Sequence, residues 1–223
     1  MPKEKKTLLI ILDGWGYREE QKDNAIALAK TPFYDKLVQT YPHSLLQASE
    51  TEVGLPEGVM GNSEVGHTNI GCGRKVQQDQ VRIYEAIDNG TFSNNPALVK
   101  AVEQAKSTHG RIHLYGLVST GNVHSAQEHY LALLDALCAH DVDMQRVFFH
   151  VVVDGRDTPP QSAKTFVDTL EQKLLQTGGK IATVSGRFFA MDRDQRWERT
   201  AKAYKAMVHG VGPSFDCAQD VLQ

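Results

Sequence analysis

The sequence is poor in cysteine, in long apolar runs and in any excess of one charge. Cys72, Cys138 and Cys217 stand far apart, with no C-x-x-C pair. That argues against a zinc-thiolate site and suits a reducing compartment, so a cytoplasmic protein is expected. Lys and Arg number 24 against 27 Asp and Glu, a formal charge of −3 over 223 residues. Such a balance offers no global attraction to nucleic acid or to a membrane surface, so any anion must be bound by local arginines. The apolar run Leu8 to Leu12 stops at Asp13, far too short for a signal sequence or a membrane span. There is no H-E-x-x-H motif, and His124 and His129 are five apart, not the i, i+4 spacing of paired helical ligands. Internal repeats and low-complexity segments are missing as well.

What is present is an alternating pattern. Thr7 to Leu12 reads as a buried strand ended by Asp13-Gly14. Thr31-Pro32 has the chemistry of a helix start, with Phe33, Leu37, Val38 and Tyr41 on one face. Residues 49–75 are glycine-rich and irregular, too long for an idle connection, which predicts a functional loop. Helices are then expected near 77–89 and 96–106. Strands at 111–118, 146–153 and 180–185 are each followed by a helix, over about 125–140, 161–177 and 194–208. This alternation predicts an α/β fold with a parallel sheet and right-handed crossovers. A domain boundary is expected near 75–78, separating 1–76 from 77–223.

The run Gly61-Asn62-Ser63-Glu64-Val65-Gly66-His67 sets a hydroxyl among small and polar residues. Glycine lets a backbone approach a large anion closely, and a helix starting near Ser63 would favour negative charge at its hydroxyl. A plain helix cap by Asn62 or Ser63 is the simpler alternative. In open parallel sheets, ligands bind at the carboxyl ends of the strands. Here those ends run into Ser119 to His124, into Asp154-Gly155-Arg156-Asp157-Thr158-Pro159-Pro160, and into Gly186-Arg187 with Met191-Asp192-Arg193-Asp194 behind. One imidazole and three guanidinium groups would gather along one rim, and arginine grips phosphate and carboxylate with two parallel hydrogen bonds. Singly, Arg193 could be a surface ion pair with its flanking aspartates and His124 an ordinary loop histidine. Asp13, at the end of the first strand, could hold a divalent cation or simply shape a turn.

Together these segments resemble the cofactor-independent (2,3-bisphosphoglycerate-independent) phosphoglycerate mutases. The likeness rests on Leu12-Asp13-Gly14-Trp15-Gly16, on Gly61 to His67, on Val123-His124-Ser125, on Asp154 to Pro160, and on Gly186-Arg187 with Ala190-Met191-Asp192-Arg193-Asp194. It implies a partial alkaline-phosphatase-like metal domain in 1–76. It implies an inserted α/β phosphotransferase domain with parallel strands in 77–223, both incomplete. It further implies that Ser63 is the phosphoryl-carrying nucleophile and, with Asp13, a metal ligand. His124, Arg156, Asp157, Arg187 and Arg193 fall on substrate-binding positions. The implied cofactor is manganese, two ions in the complete enzyme with magnesium as a substitute, and not 2,3-bisphosphoglycerate. The implied substrate is phosphoglycerate, interconverted between its 3- and 2-isomers through a phosphoserine, by a monomer with no nucleic-acid or membrane partner.

Two departures from the resemblance stand out. Such mutases usually read Gly-Gly-Val-His-Ser-His where this chain has Gly121-Asn122-Val123-His124-Ser125-Ala126. They are also much longer, and the absent part would supply most metal ligands, further arginines and a lysine. An amino-terminal portion of a mutase is therefore the leading expectation. A catalytically dead fragment that binds phosphorylated acids or a partner chain, or another metal-dependent phosphomutase or phosphohydrolase of the superfamily, are the alternatives.

Overall fold

The computed structural model describes residues 6–218 and 220. The chain divides into two compact units, one up to Val81 and one from Arg82.

The second unit is built on a parallel sheet of β1 (Ile112–Val118), β2 (Val147–Val153) and β3 (Lys180–Gly186), in that order. β1 pairs with β2 from Ile112↔Val147 to Val118↔Val153 without interruption. Between β2 and β3 the register shifts at Phe149/His150. Parallel neighbours need crossovers, and helices supply them: α6 (Gln127–Ala139) lies between β1 and β2, and α7 (Ala163–Thr177) between β2 and β3. α5 (Pro96–Ser107) precedes the sheet. Its Asn95 cap accepts from the amides of Ala97 and Leu98, and Pro96 takes the first turn, where its missing N–H is harmless.

The core follows from the periodicity of these elements. Val118, Val147, Phe149 and Val151 point to one face, where Leu134 and Leu137 of α6, Val167, Leu170 and Leu174 of α7, and Val102 of α5 close over them. β2 reads Val-Phe-Phe-His-Val-Val-Val and is buried nearly throughout, as a central parallel strand must be. Its one polar member, His150, is satisfied from both sides: Nε2 lies 2.9 Å from His113 Nδ1 and Nδ1 lies 2.9 Å from Thr183 Oγ1. Burial, then the neighbouring His113, lowers the pKa of His150, so it packs as a neutral ring. After β3 come a single turn, α8 (Arg187–Ala190), and α9 (Trp197–His209), which packs on β3 and α8.

The strands and helices expected from about 96 onward are all present, with ends shifted by at most three residues. The first unit differs from expectation. Thr7 to Leu12 is no strand; Leu8 is 81% exposed and Leu9 70%. A strand exists through its ladder, and among the described residues of this unit no neighbour pairs with the run. Its terminal turn does form, with the Trp15 amide donating to Leu12 O at 3.0 Å and Gly14 at φ 78°. The helix α2 (Pro32–Thr40) forms as predicted, behind α1 (Ala25–Leu28), yet Phe33, Leu37 and Tyr41 on its apolar face are exposed. The supposedly irregular 49–75 segment carries a full helix, α3 (Ser63–Cys72), ended by Gly73 at φ 61°. The small core of this unit is Val53, Leu55 and Val65. The remaining helix, α4 (Asp79–Asp88), contains the boundary between the units.

The contrast is measurable. Leu170→Ala, at a fully buried site, is expected to cost about 2–5 kcal/mol, read as a lower urea midpoint of the second unit. Leu46→Ser, at a position 87% exposed, is expected to shift stability by no more than about 0.5 kcal/mol.

Candidate functional site

In the second unit the three strand ends meet at one carboxylate. Asp154, just past β2, is 1% exposed at its side chain. Its Oδ2 accepts from the buried Ser119 hydroxyl at 2.6 Å, from the end of β1. Its Oδ1 accepts from Arg187 Nη1 at 2.6 Å, from the start of α8 after β3. The amides of Arg156 and Asp157 donate to the same oxygen at 3.1 and 3.2 Å, folding the Asp154–Asp157 loop around its own first residue. Burial alone would raise the carboxyl pKa. The hydrogen bonds from Ser119, Arg187 and the two amides outweigh it and hold the group well below its ordinary 3.8, at about 2.

Arg187 also reaches Asp157 Oδ2 at 2.7 Å through the same Nη1. Burial opposes its charge, but the two carboxylates prevail and raise its pKa. Both protons of Nη1 are spent on these bonds; the three N–H groups of Nε and Nη2 make none among the described residues. The loop leading to His124 is drawn onto the same place. The Gly121 amide donates to Ser119 Oγ at 3.0 Å, and a Cβ on Gly121 would stand 2.7 Å from Asp157 Cβ. Only glycine fits there.

Of the predicted rim residues, Asp157 and Arg187 are thus brought into direct contact, and Gly121 brings the His124 loop against Asp157. His124, Arg156 and Arg193 are exposed. Among the described residues neither Arg156 nor Arg193 takes part in an ion pair. The alternative of an Arg193 pair with its flanking aspartates is set aside by Arg199. That arginine takes Asp192 at 3.4 Å and Asp194 at 3.9 Å, with its guanidinium 3.8 Å over the Phe188 ring. Asp192 also accepts from the Arg196 amide at 2.8 Å, so it shapes the loop from within and leaves Arg193 outside. Sequence reasoning missed Asp154, Ser119 and Arg199 as organising residues. Asp154 and Ser119 each opened a noted segment at a strand end, whereas Arg199 carried no signal of its own.

In the first unit, Ser63 opens α3. Asn62 is the cap, its side chain accepting from the Val65 amide at 3.1 Å, so the cap and the hydroxyl are different residues. Ser63 Oγ donates to Asp13 Oδ2 at 2.8 Å, fifty residues away. His67 Nδ1 lies 3.2 Å from the same hydroxyl but 2.8 Å from the Ser63 carbonyl. A carbonyl only accepts, so Nδ1 carries the proton, and Asp13 is left as the acceptor for the Ser63 hydroxyl. The glycine at 61 serves packing rather than anion approach: a Cβ there would sit 1.7 Å from Ala48 O. Gly66 has open space around it.

Asp13 and Ser63 are both exposed, and together they offer one carboxylate and one hydroxyl. Among the described residues no group of three or more His, Cys, Asp or Glu could hold a metal ion. A hard divalent cation gathers several oxygen ligands, so these two donors are only the beginning of a manganese or magnesium site and do not make one. Among the described residues, too, no helix is long and apolar enough to cross a membrane.

The low pKa of Asp154 sets an acid limit. A carboxyl with a folded value below its unfolded one stabilises the fold above the unfolded value, and loses that contribution as pH falls. The window is pH 3.8 down to about 2, and the contribution is roughly 2 kcal/mol. Urea midpoints are expected to fall across that window in the parent chain. Asp154→Asn, destabilised at neutral pH, is expected to show a shallower acid slope there.

Comparison with known proteins places these features in a family. The family described as BPG-independent PGAM N-terminus (iPGM_N) matches residues 83–223. The 2,3-bisphosphoglycerate-independent phosphoglycerate mutase of Myxococcus xanthus (strain DK1622) is 54% identical over 219 residues, which is 98% of this chain and 42% of that protein. The enzyme of the same name from Methylobacillus flagellatus is 53% identical over 206 residues, 92% of this chain and 40% of that protein. Among solved structures, Leishmania mexicana phosphoglycerate mutase at low cobalt concentration is similar with a TM-score of 0.72 and 32% identity. That match covers 87% of this chain and 37% of that one. The chain spans less than half the length of these relatives, and within that span it belongs to the 2,3-bisphosphoglycerate-independent phosphoglycerate mutase family.

Proposed function

We propose that this chain carries the nucleophile and part of the substrate rim of a glycolytic phosphoglycerate mutase that interconverts 3- and 2-phosphoglycerate through phosphoserine at Ser63. In this reading the first unit is the amino-terminal piece of the phosphatase-like metal domain and the second is the inserted phosphotransferase domain. The complete enzyme would work in the cytoplasm as a monomer. The observation that carries the proposal is the Ser63 hydroxyl at the head of α3, donating to Asp13. The helix dipole favours negative charge there, and the carboxylate is in place to take the proton as the oxygen attacks phosphorus. The Ser63 O–P bond forms as the bond from phosphorus to the glycerate oxygen breaks, and the released oxygen takes a proton to leave as a hydroxyl. In the return step the accepting hydroxyl gives up its proton and the Ser63 oxygen regains one. Return of the phosphoryl group to the other glycerate hydroxyl completes the exchange.

The rim has a matching role. Arg187, neutralised by two aspartates, keeps three N–H donors to offer, and Asp157 can accept from a glycerate hydroxyl. Net positive charge for a phosphate or carboxylate must then come from Arg156 and Arg193, which are exposed and outside any ion pair among the described residues. His124 completes the set. Phosphoryl transfer asks mainly for such charge compensation and alignment.

A second reading has its own support, the incomplete donor set around Ser63. On that view the chain by itself binds phosphorylated acids without turning them over. One assay separates the two: the purified chain with manganese and 3-phosphoglycerate, followed for 2-phosphoglycerate and free phosphate. For the isolated chain, binding without turnover is expected, weakened roughly tenfold or more by Arg187→Ala. Isomerisation that is abolished by Ser63→Ala would make the chain a working mutase. Phosphate release without isomerisation would point instead to a hydrolase, and no binding at all would sink the rim assignment.

A further inference from the structure

The turn that carries His124 has a support that its own sequence does not provide. Asn122 stands at φ 56°, in the left-handed region that most side chains avoid and that asparagine tolerates. Its amide N–H donates to Ser125 O at 3.1 Å, closing the turn over Val123 and His124. The Asn122 side chain meets the Tyr84 hydroxyl of α4, Oδ1 to phenol oxygen 3.3 Å, and that hydroxyl is 3.1 Å from Glu128 Oε2 at the start of α6. A phenol has one proton and two acceptors here. The phenol O–H stands between the charged Glu128 carboxylate and Asn122 Oδ1, within hydrogen-bond distance of both. The Tyr84 ring is further held edge-on to His129, ring centres 4.5 Å apart. Burial, reinforced by Glu128, pushes the Tyr84 pKa up to about 12; the phenol stays protonated across the whole working range.

We propose that Tyr84, acting through Asn122 and oriented by Glu128, is a positioning residue that fixes the His124 turn for binding of the substrate's anionic group. The proposal rests on the assignment of His124 to the substrate rim. On one side the loop is clamped by Gly121 against Asp157; on the other, by the Glu128–Tyr84–Asn122 chain of hydrogen bonds. A glycine at 122 would reach the same backbone angle but lose the second clamp and gain freedom.

The test uses the 223-residue chain, backbone amide relaxation at residues 122–125, and titration with 3-phosphoglycerate. Tyr84→Phe removes only the hydroxyl and keeps the ring against His129. It is expected to lower order at 122–125 without altering order in β1–β3, and to weaken binding roughly three- to tenfold. Asn122→Gly is expected to do the same, and the double variant to be no worse than either alone. Unchanged order and affinity in Tyr84→Phe, or additive effects in the double variant, would overturn the proposal. If the parent chain fails to bind 3-phosphoglycerate, the rim assignment and the proposed binding role both fall, while the relaxation data still show whether Tyr84 orders the turn.

Discussion

The Asp154 carboxylate is withdrawn from water, and a buried charge is tolerable only when it is paired and hydrogen-bonded. Here it is met by a hydroxyl from the end of β1, a guanidinium from the end of β3 and two amides of its own loop. The consequence is geometric. Three strand ends that packing alone would leave to diverge as loops are tied to one atom group, and the register of the sheet is carried into the site. Ser119 then holds the Gly121 amide, Arg187 holds Asp157, and Gly121 lies against Asp157. Loss of the single carboxylate would leave Arg187 only Asp157 and Ser119 only the Gly121 amide.

Much of this was legible in the sequence where local chemistry decides. β1, β2 and β3 are short apolar runs ended by polar loops, α5 is announced by Asn95-Pro96, and α7 ends at Gly178 in the left-handed region. Those signals need no partner to be read. Thr7 to Leu12 has the same composition but is no strand, because a ladder depends on neighbours that composition cannot supply. The pairing of charges was equally illegible. Arg193 lies between two aspartates in sequence, but Arg199, farther along and on a helix, is the one that meets them. Gly61 suggested close approach correctly and the approaching group wrongly, since backbone rather than ligand fills that space.

The two units carry chemistry of opposite kinds. Around Asp154 both carboxylate oxygens are engaged by hydrogen bonds, and the group is held in its charged form. Around Ser63 the partners are exposed, and only one of the two neighbours can accept a proton, because His67 is held by the Ser63 carbonyl. A rigid, desolvated cluster suits orientation of a ligand. An exposed hydroxyl on one carboxylate suits the role proposed for Ser63, which a phosphoryl donor would have to reach and which would have to exchange its proton.

Charge accounting across the rim adds a constraint of its own. Asp154, Asp157 and Arg187 form a contact cluster with two negative charges and one positive, so taken alone it would repel an anion. On the proposed function, attraction would come from guanidinium groups that pair with no aspartate among the described residues. Arg156 sits immediately beside the cluster, with its amide rather than its side chain spent on Asp154. Among the described residues Arg193 makes no ion pair, and Arg199 meets both neighbouring aspartates. On the proposed function the arginines divide labour: Arg187 and Arg199 pair with the carboxylates that build the loops, Arg187 keeping further donors to offer, and Arg156 and Arg193 would supply the net charge for an incoming anion.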